Sequence, residues 1–337
     1  MTAVVNPGWM SIVLMVFILA HFSILIFSAL VLAYHLRRKD WFLVTRQRNG
    51  LLKPNRTLVE ALGAFSYAAL SLVDMSCQLY IDYQRKPVRG KILIFAWRYP
   101  IAWLAFWCIM WNCITGRIRA IWDPTFRDAS EGGYDSMPKW VVWLLNSIFV
   151  FFVGVFTIID PAVLIPAHIS HDQFLNTLRG VENALLTASK APDALSYSLT
   201  KLYTILEPLD SIPTTINQLA ASVKVYYYFS AVLDFGMMAV YAVFIFLTYR
   251  QYRVLRNHEK TGRVTDNVDQ VLKFDYKAEL KTIFVEAVFI FFMLFSFIPM
   301  FAWGLTTNGS NQFLTSPTSV TVPALTLGAA AAIVGNV

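Results

Sequence analysis

Residues 9–34 read WMSIVLMVFILAHFSILIFSALVLAY, and His35, Leu36, Arg37, Arg38 and Lys39 follow at once. No Asp, Glu, Lys or Arg interrupts the run. At about 1.5 Å of rise per residue, some twenty apolar residues reach across a hydrocarbon core roughly 30 Å thick, and this segment is long enough to do so. No basic stretch precedes it and a basic flank follows it, so it reads as a retained anchor and not as a cleaved leader.

Working outward from that segment, the same test finds five more runs: 58–81, 94–116, 140–165, 225–249 and 282–305. Lipid offers no partner to an unpaired backbone amide, so each run is expected to be a helix. The predicted fold class is therefore all-α, a polytopic transmembrane helical bundle of six spans. A seventh is left open, because the uncharged tail 306–337 ends in an apolar run that contains Pro323 and is short for a span. Four segments follow: 1–165 with the first four helices, 166–224 as an extracellular or lumenal helical module, 225–305 with helices five and six and a basic loop, and 306–337 as the tail.

The composition agrees: 57% of 337 residues are hydrophobic and only 15% charged, too little charge to cover a soluble domain of this size. The net charge of +7 sits in short loops beside apolar runs, where headgroups and the insertion machinery explain it better than nucleic acid does. Loops after odd-numbered spans hold 19 Lys and Arg against 8 after even-numbered ones, which places the N-terminus outside and the odd loops in the cytoplasm. An integral location in the plasma membrane or another secretory-route membrane follows. Cys77, Cys108 and Cys113 lack metal-ligand spacing and read as small apolar residues.

Outside the bilayer, Ser170 through Gln173 fits a capping box with Ile169 and Phe174 as staple, so a helix is expected to start there. Leu175, Leu178, Val181 and Leu185 recur at helical spacing, then Leu195, Leu199, Leu202, Ile205 and Leu206. The pattern predicts an extracellular helical hairpin whose apolar stripes need a partner, within the chain or through self-association over 170–224. His168, His171 and Asp172 have ligand-like spacing, but a cap at Ser170 would break their shared face; no metal is expected. Thr57 and Glu60 fit a second capping box, and His21 reads as a helix-contact histidine.

Charges inside spans are costly and functional by default. Asp74, Arg98, Asp160 and Asp234 fall in the outer halves of their helices, and their common depth permits one polar cluster with Arg98 as the sole cation. The alternative is that Arg98, between Trp97 and Tyr99, snorkels to the interface while each Asp lies at a headgroup boundary. In the cytoplasm, Arg37, Arg38, Lys39, Arg46, Arg48, Arg250, Arg253 and Arg256 are the candidate contacts for membrane lipid or a protein partner. Trp41 to Val44, among them, suit an interfacial helix, with Asn49 and Gly50 as a turn.

No nucleotide-binding glycine loop, HExxH, GxSxG or paired-cysteine motif is present, so neither enzymatic activity nor a cofactor is expected. The layout has the outline of a seven-helix receptor. It lacks that class's acidic-Arg-aromatic triplet after span three, an Asn-Pro-x-x-Tyr near the tail and an outer-loop cysteine, so no family is assigned. The sequence favours a receptor or sensor, or a membrane scaffold, with a transporter or channel using the outer acids as the alternative; no internal repeat supports the latter.

Overall fold

The structure is a computed structural model and describes residues 8–39, 41–47, 49–84, 88, 90–122, 137–190 and 199–260, with six further positions between 284 and 298. Apart from those six positions, the expected sixth span and the tail thus lie outside the described residues. Helix α1 (Gly8–Arg38) leads into a short ribbon of β1 (Val44–Arg46) and β2 (Leu52–Pro54), then α2 (Arg56–Gln84) and α3 (Lys91–Trp122). After these come α4 (Lys139–Gly154), a π turn (Val155–Ile159), α5 (Asp160–Val163), α6 (Ile165–Ser189), α7 (Leu199–Leu206), a 3-10 turn (Glu207–Ser211) and α8 (Ile212–Lys260).

Among the described residues four helical stretches are long and apolar enough to cross a membrane: Ser11–Arg38, Arg56–Ile81, Lys139–Ser189 and Thr200–Leu247. The all-helical, membrane-embedded character read from hydropathy is therefore present in the structure. Much of the large apolar surface faces outward, as Ile12, Val16, Leu19 and Phe27 do on α1. On a water-soluble protein such a surface would drive aggregation; against acyl chains it is the matched solvent.

Helix α1 buries one narrow stripe, Leu14, His21 and Ser28, spaced seven residues apart as in a coiled-coil seam, and this seam packs on α2. Helix α3 is the centre of the bundle. Tyr99, Trp103, Trp107 and Trp111 recur every fourth residue along a single ridge, all fully buried. The Trp107 ring lies 4.2 Å from that of Phe152 and Trp111 stacks on Phe149 at 5.4 Å. A Cβ on Gly63 of α2 would sit 2.7 Å from the Ala105 Cβ, so the missing side chain is what lets α2 and α3 approach.

The ribbon closes one end of this core. Asn49 and Gly50, the latter with φ +87°, reverse the chain, and the Asn146 amide of α4 donates to the Gly50 carbonyl at 3.0 Å while its carbonyl accepts from Leu52 N–H at 2.9 Å. Trp111 Nε1 donates to the Leu52 carbonyl at 2.9 Å. Leu51 is wholly buried. The expected interfacial helix over Trp41 to Val44 is thus corrected: Val44 already pairs with Pro54 across an antiparallel ribbon, because the Asn-Gly turn folds the chain back on itself. The cap of α2 is also reassigned. Asn55 Oδ1 accepts from Leu58 N–H at 3.4 Å, and Glu60 instead pairs with Arg56 at 2.7 Å.

Two helical lines extend far beyond bilayer thickness. Lys139–Ser189 is 51 residues and α8 is 49, some 75 Å each at helical rise. The capping box at Ser170 is not used: α6 starts at Ile165, with Pro166 in its first turn, and Ser170 is buried mid-helix. Proline at that position has no amide to leave unpaired and its fixed φ suits a helix start. Helix α6 packs along α8, with α7 and the 3-10 turn bridging their ends.

Candidate functional site

Of the four span charges, the structure joins Asp74 and Arg98. Arg98 Nη1 donates to Asp74 Oδ2 at 2.9 Å, both side chains being nearly sealed from solvent. Tyr99 stands beside them, its hydroxyl 3.5 Å from Arg98 Nη2, and the guanidinium carbon lies 5.3 Å from the Tyr99 ring centre. Arg98 is therefore turned into the bundle and does not snorkel. Its charge is held by a carboxylate on α2 and the faces of aromatic neighbours.

This pair is bordered by Tyr67 and His21. The His21 ring lies 5.8 Å from the Tyr67 ring and its Nδ1 is 2.8 Å from the Phe17 carbonyl, which makes it the helix-contact histidine expected of it. On the other side, Tyr226 and Tyr227 of α8 are fully buried and lie within electrostatic range of Tyr99.

Asp160 is in a different situation. It is fully buried, and neither carboxylate oxygen has a hydrogen-bond partner. Its position follows from the local chain. Pro161 has no N–H, and in a regular α-helix its ring would press on the Thr157 carbonyl. The chain answers by widening into the π turn, so that Asp160 N–H donates five residues back to the Val155 carbonyl. It then tightens, with Leu164 N–H donating to the Pro161 carbonyl at 3.2 Å before α6 begins. Single π turns of this kind recur at functional positions. Asp160 interacts electrostatically with Tyr226, which connects the helix break to the tyrosines beside Arg98.

Asp234 is likewise fully buried, with neither oxygen hydrogen-bonded. It does not share the level of the others. Eight residues separate it from Tyr226 on one helix, about 12 Å along the axis. Helix α8, which carries it, begins at Ile212, before the expected start of span five at 225.

The basic residues behave as surface groups. Arg37, Arg38, Lys39, Arg46, Arg250 and Arg253 are exposed, with the Arg38 guanidinium 4.7 Å from the Tyr34 ring centre. Arg48 lies outside the described residues, as does the Arg256 side chain. His168 and His171 do share α6 with Asp172, at 3.8 and 3.9 Å from its oxygens. Among the described residues no group of His, Cys, Asp and Glu converges to hold a metal.

Sequence reasoning had not singled out Tyr67, Tyr226 or Tyr227, and had used Tyr99 only as an interfacial neighbour. The three consecutive tyrosines at 226–228 were the available signal, since they span about 200° of a helix and at least one must face inward. These features define a helical membrane protein with a polar seam buried in its bundle. No family model, curated protein or solved structure matches the chain.

Proposed function

We propose that this chain is a six-span membrane sensor, with the N-terminus outside, the odd loops in the cytoplasm and the helical segment 166–224 as its outer input. The plasma membrane or another secretory-route membrane is its setting. The carrying observation is connection: α6 and α8 pack on one another, α8 continues into the core as one unbroken helix, and α6 joins α4 there through the π turn and the Pro161 kink. A separately tethered hairpin could move without disturbing the spans. Helices that are rigid over several turns and share one core couple a displacement outside to a displacement inside. The outer segment is also where a protein partner or a second copy would bind, and exposed Leu185, Leu186 and Tyr203 offer apolar contact there. Exposed Arg37, Arg38, Lys39, Arg250 and Arg253 would read out to anionic lipid or a cytoplasmic partner.

The test places an environment-sensitive dye at Arg253→Cys in a background without Cys77, Cys108 and Cys113, and a bulky impermeant adduct at Leu186→Cys, added from outside. A shift of the dye emission on forming the outer adduct is expected. An unchanged spectrum in a fully inserted protein contradicts the sensor reading. A second reading, transport or conduction of a small cation, is favoured by the two buried acids of α5 and α8 and by the break at Pro161.

A further inference from the structure

We propose that Asp160 forms a binding site for a small monovalent cation, sodium or a proton, at the kink between α4 and α6. The inference rests on these helices spanning a membrane. It does not depend on whether the protein is a sensor or a transporter.

A carboxylate sealed from water is strongly unfavourable unless it is paired, hydrogen-bonded or neutralised. Asp160 is fully buried and its two oxygens accept no hydrogen bond. The helices packed against it carry, nearest in sequence register, Arg98 and Tyr99 on α3, His168, His171 and Asp172 on α6, and Lys224, Tyr226, Tyr227, Tyr228 and Asp234 on α8, with Arg179 and Glu182 farther along α6 and Lys91, Arg117 and Arg119 toward the ends of α3. Of these cations Arg98 is engaged by Asp74 at 2.9 Å, and none of them hydrogen-bonds to an Asp160 oxygen. His168 and His171 lie two turns and more along α6 and face Asp172. The Tyr226 phenol lies within electrostatic range of Asp160 without hydrogen-bonding to it, and brings an oxygen and no positive charge.

The backbone adds to that chemistry. Pro161 has no amide to give, so it cannot donate to a carbonyl of the π turn that precedes it. Carboxylate, carbonyl and phenol oxygens are the ligand set hard cations take, and unwound intramembrane helices are recurrent places for it. One carboxylate balances one charge. A divalent ion would call for a second acid, and Asp234 lies about 12 Å along α8 from the Tyr226 level.

The experiment is thermal unfolding of the full chain in nanodiscs of uncharged lipid, followed by tryptophan emission. Sodium chloride is compared with equal choline chloride at fixed pH, and the choline series is repeated across about pH 5 to 8. The wild-type midpoint is expected to rise by several degrees with sodium, or with acid, as a ligand bound only by the folded state requires. Asp160→Asn is expected to lose that response, and Asp234→Asn to keep it. A sodium response at fixed pH assigns a metal cation; an acid response without one assigns a proton. Asp160→Asn responding to both as the wild type does overturns the site. Should Asp160→Asn not fold, Asp160→Glu decides, since a response midpoint unchanged from wild type also overturns it. Unfolding reads neither signalling nor flux, so failure here leaves the dye experiment on the outer segment standing.

Discussion

Asp74 and Asp160 are the same residue type, both buried in the bundle, yet they do opposite things to it. Asp74 meets Arg98 across the α2–α3 contact, and each removes the other's cost of burial. Asp160 sits at a helix break with no cation and no hydrogen-bond donor on its oxygens. A partnered acid is accounted for by the fold it helps to hold. An unpartnered acid weakens the fold, and its retention calls for a function. Burial alone therefore does not mark a site; burial with the bonding capacity left open beside a helix break does, and Asp234, as buried and unbonded, sits within the unbroken α8.

The strongest way to break this contrast is to turn the first acid into the second. Arg98→Met leaves Asp74 buried and alone, and a loss of about 3–5 kcal/mol is expected in thermal or denaturant unfolding. Asp74→Leu in the same chain should return most of that loss; no recovery would mean that Arg98 matters through its packing on Tyr99. A smaller effect separates packing from charge. Gly63→Leu forces α2 away from α3 at Ala105 and is expected to cost about 1–3 kcal/mol, while the sodium or acid response assigned to Asp160 persists. The smallest effect is expected at Tyr226→Phe. Without added sodium the stability should change by less than about 0.5 kcal/mol, because only an oxygen is removed and the ring stays. In sodium or acid the same variant should respond more weakly than wild type.

Hydropathy made the apolar helices legible, since twenty uncharged residues in a row leave few other structures open. It could not show how far they continue. The capping box at Ser170 was a sound local signal, but Pro166 lay closer to the end of the preceding apolar run and began α6 first. That displaced boundary, and the early start of α8 at Ile212, are why the segment between spans four and five is helically continuous with its neighbours. The Asn49 and Gly50 turn was visible. Its strands were not, because Val44 to Arg46 and Leu52 to Pro54 are short, and what fixes them is Asn146, nearly a hundred residues away.

The site was half legible. Its charges stood out because they interrupt apolar runs, and of the three acids the structure pairs Asp74 with Arg98. Which acid takes Arg98 depends on the rotation of α2 against α3, and that is set by the contact at Gly63 and Ala105, a long-range fact. The π turn left no pattern beyond Pro161 itself.

The most direct measurement is the unfolding midpoint of Asp74→Asn beside that of Asp160→Asn, both in choline buffer at neutral pH in the same nanodiscs. The account predicts that Asp74→Asn falls well below wild type, since Arg98 is left without its counter-charge, while Asp160→Asn stays level or rises. Equal falls in the two variants would contradict it, because Asp160 would then be held by the fold as firmly as Asp74.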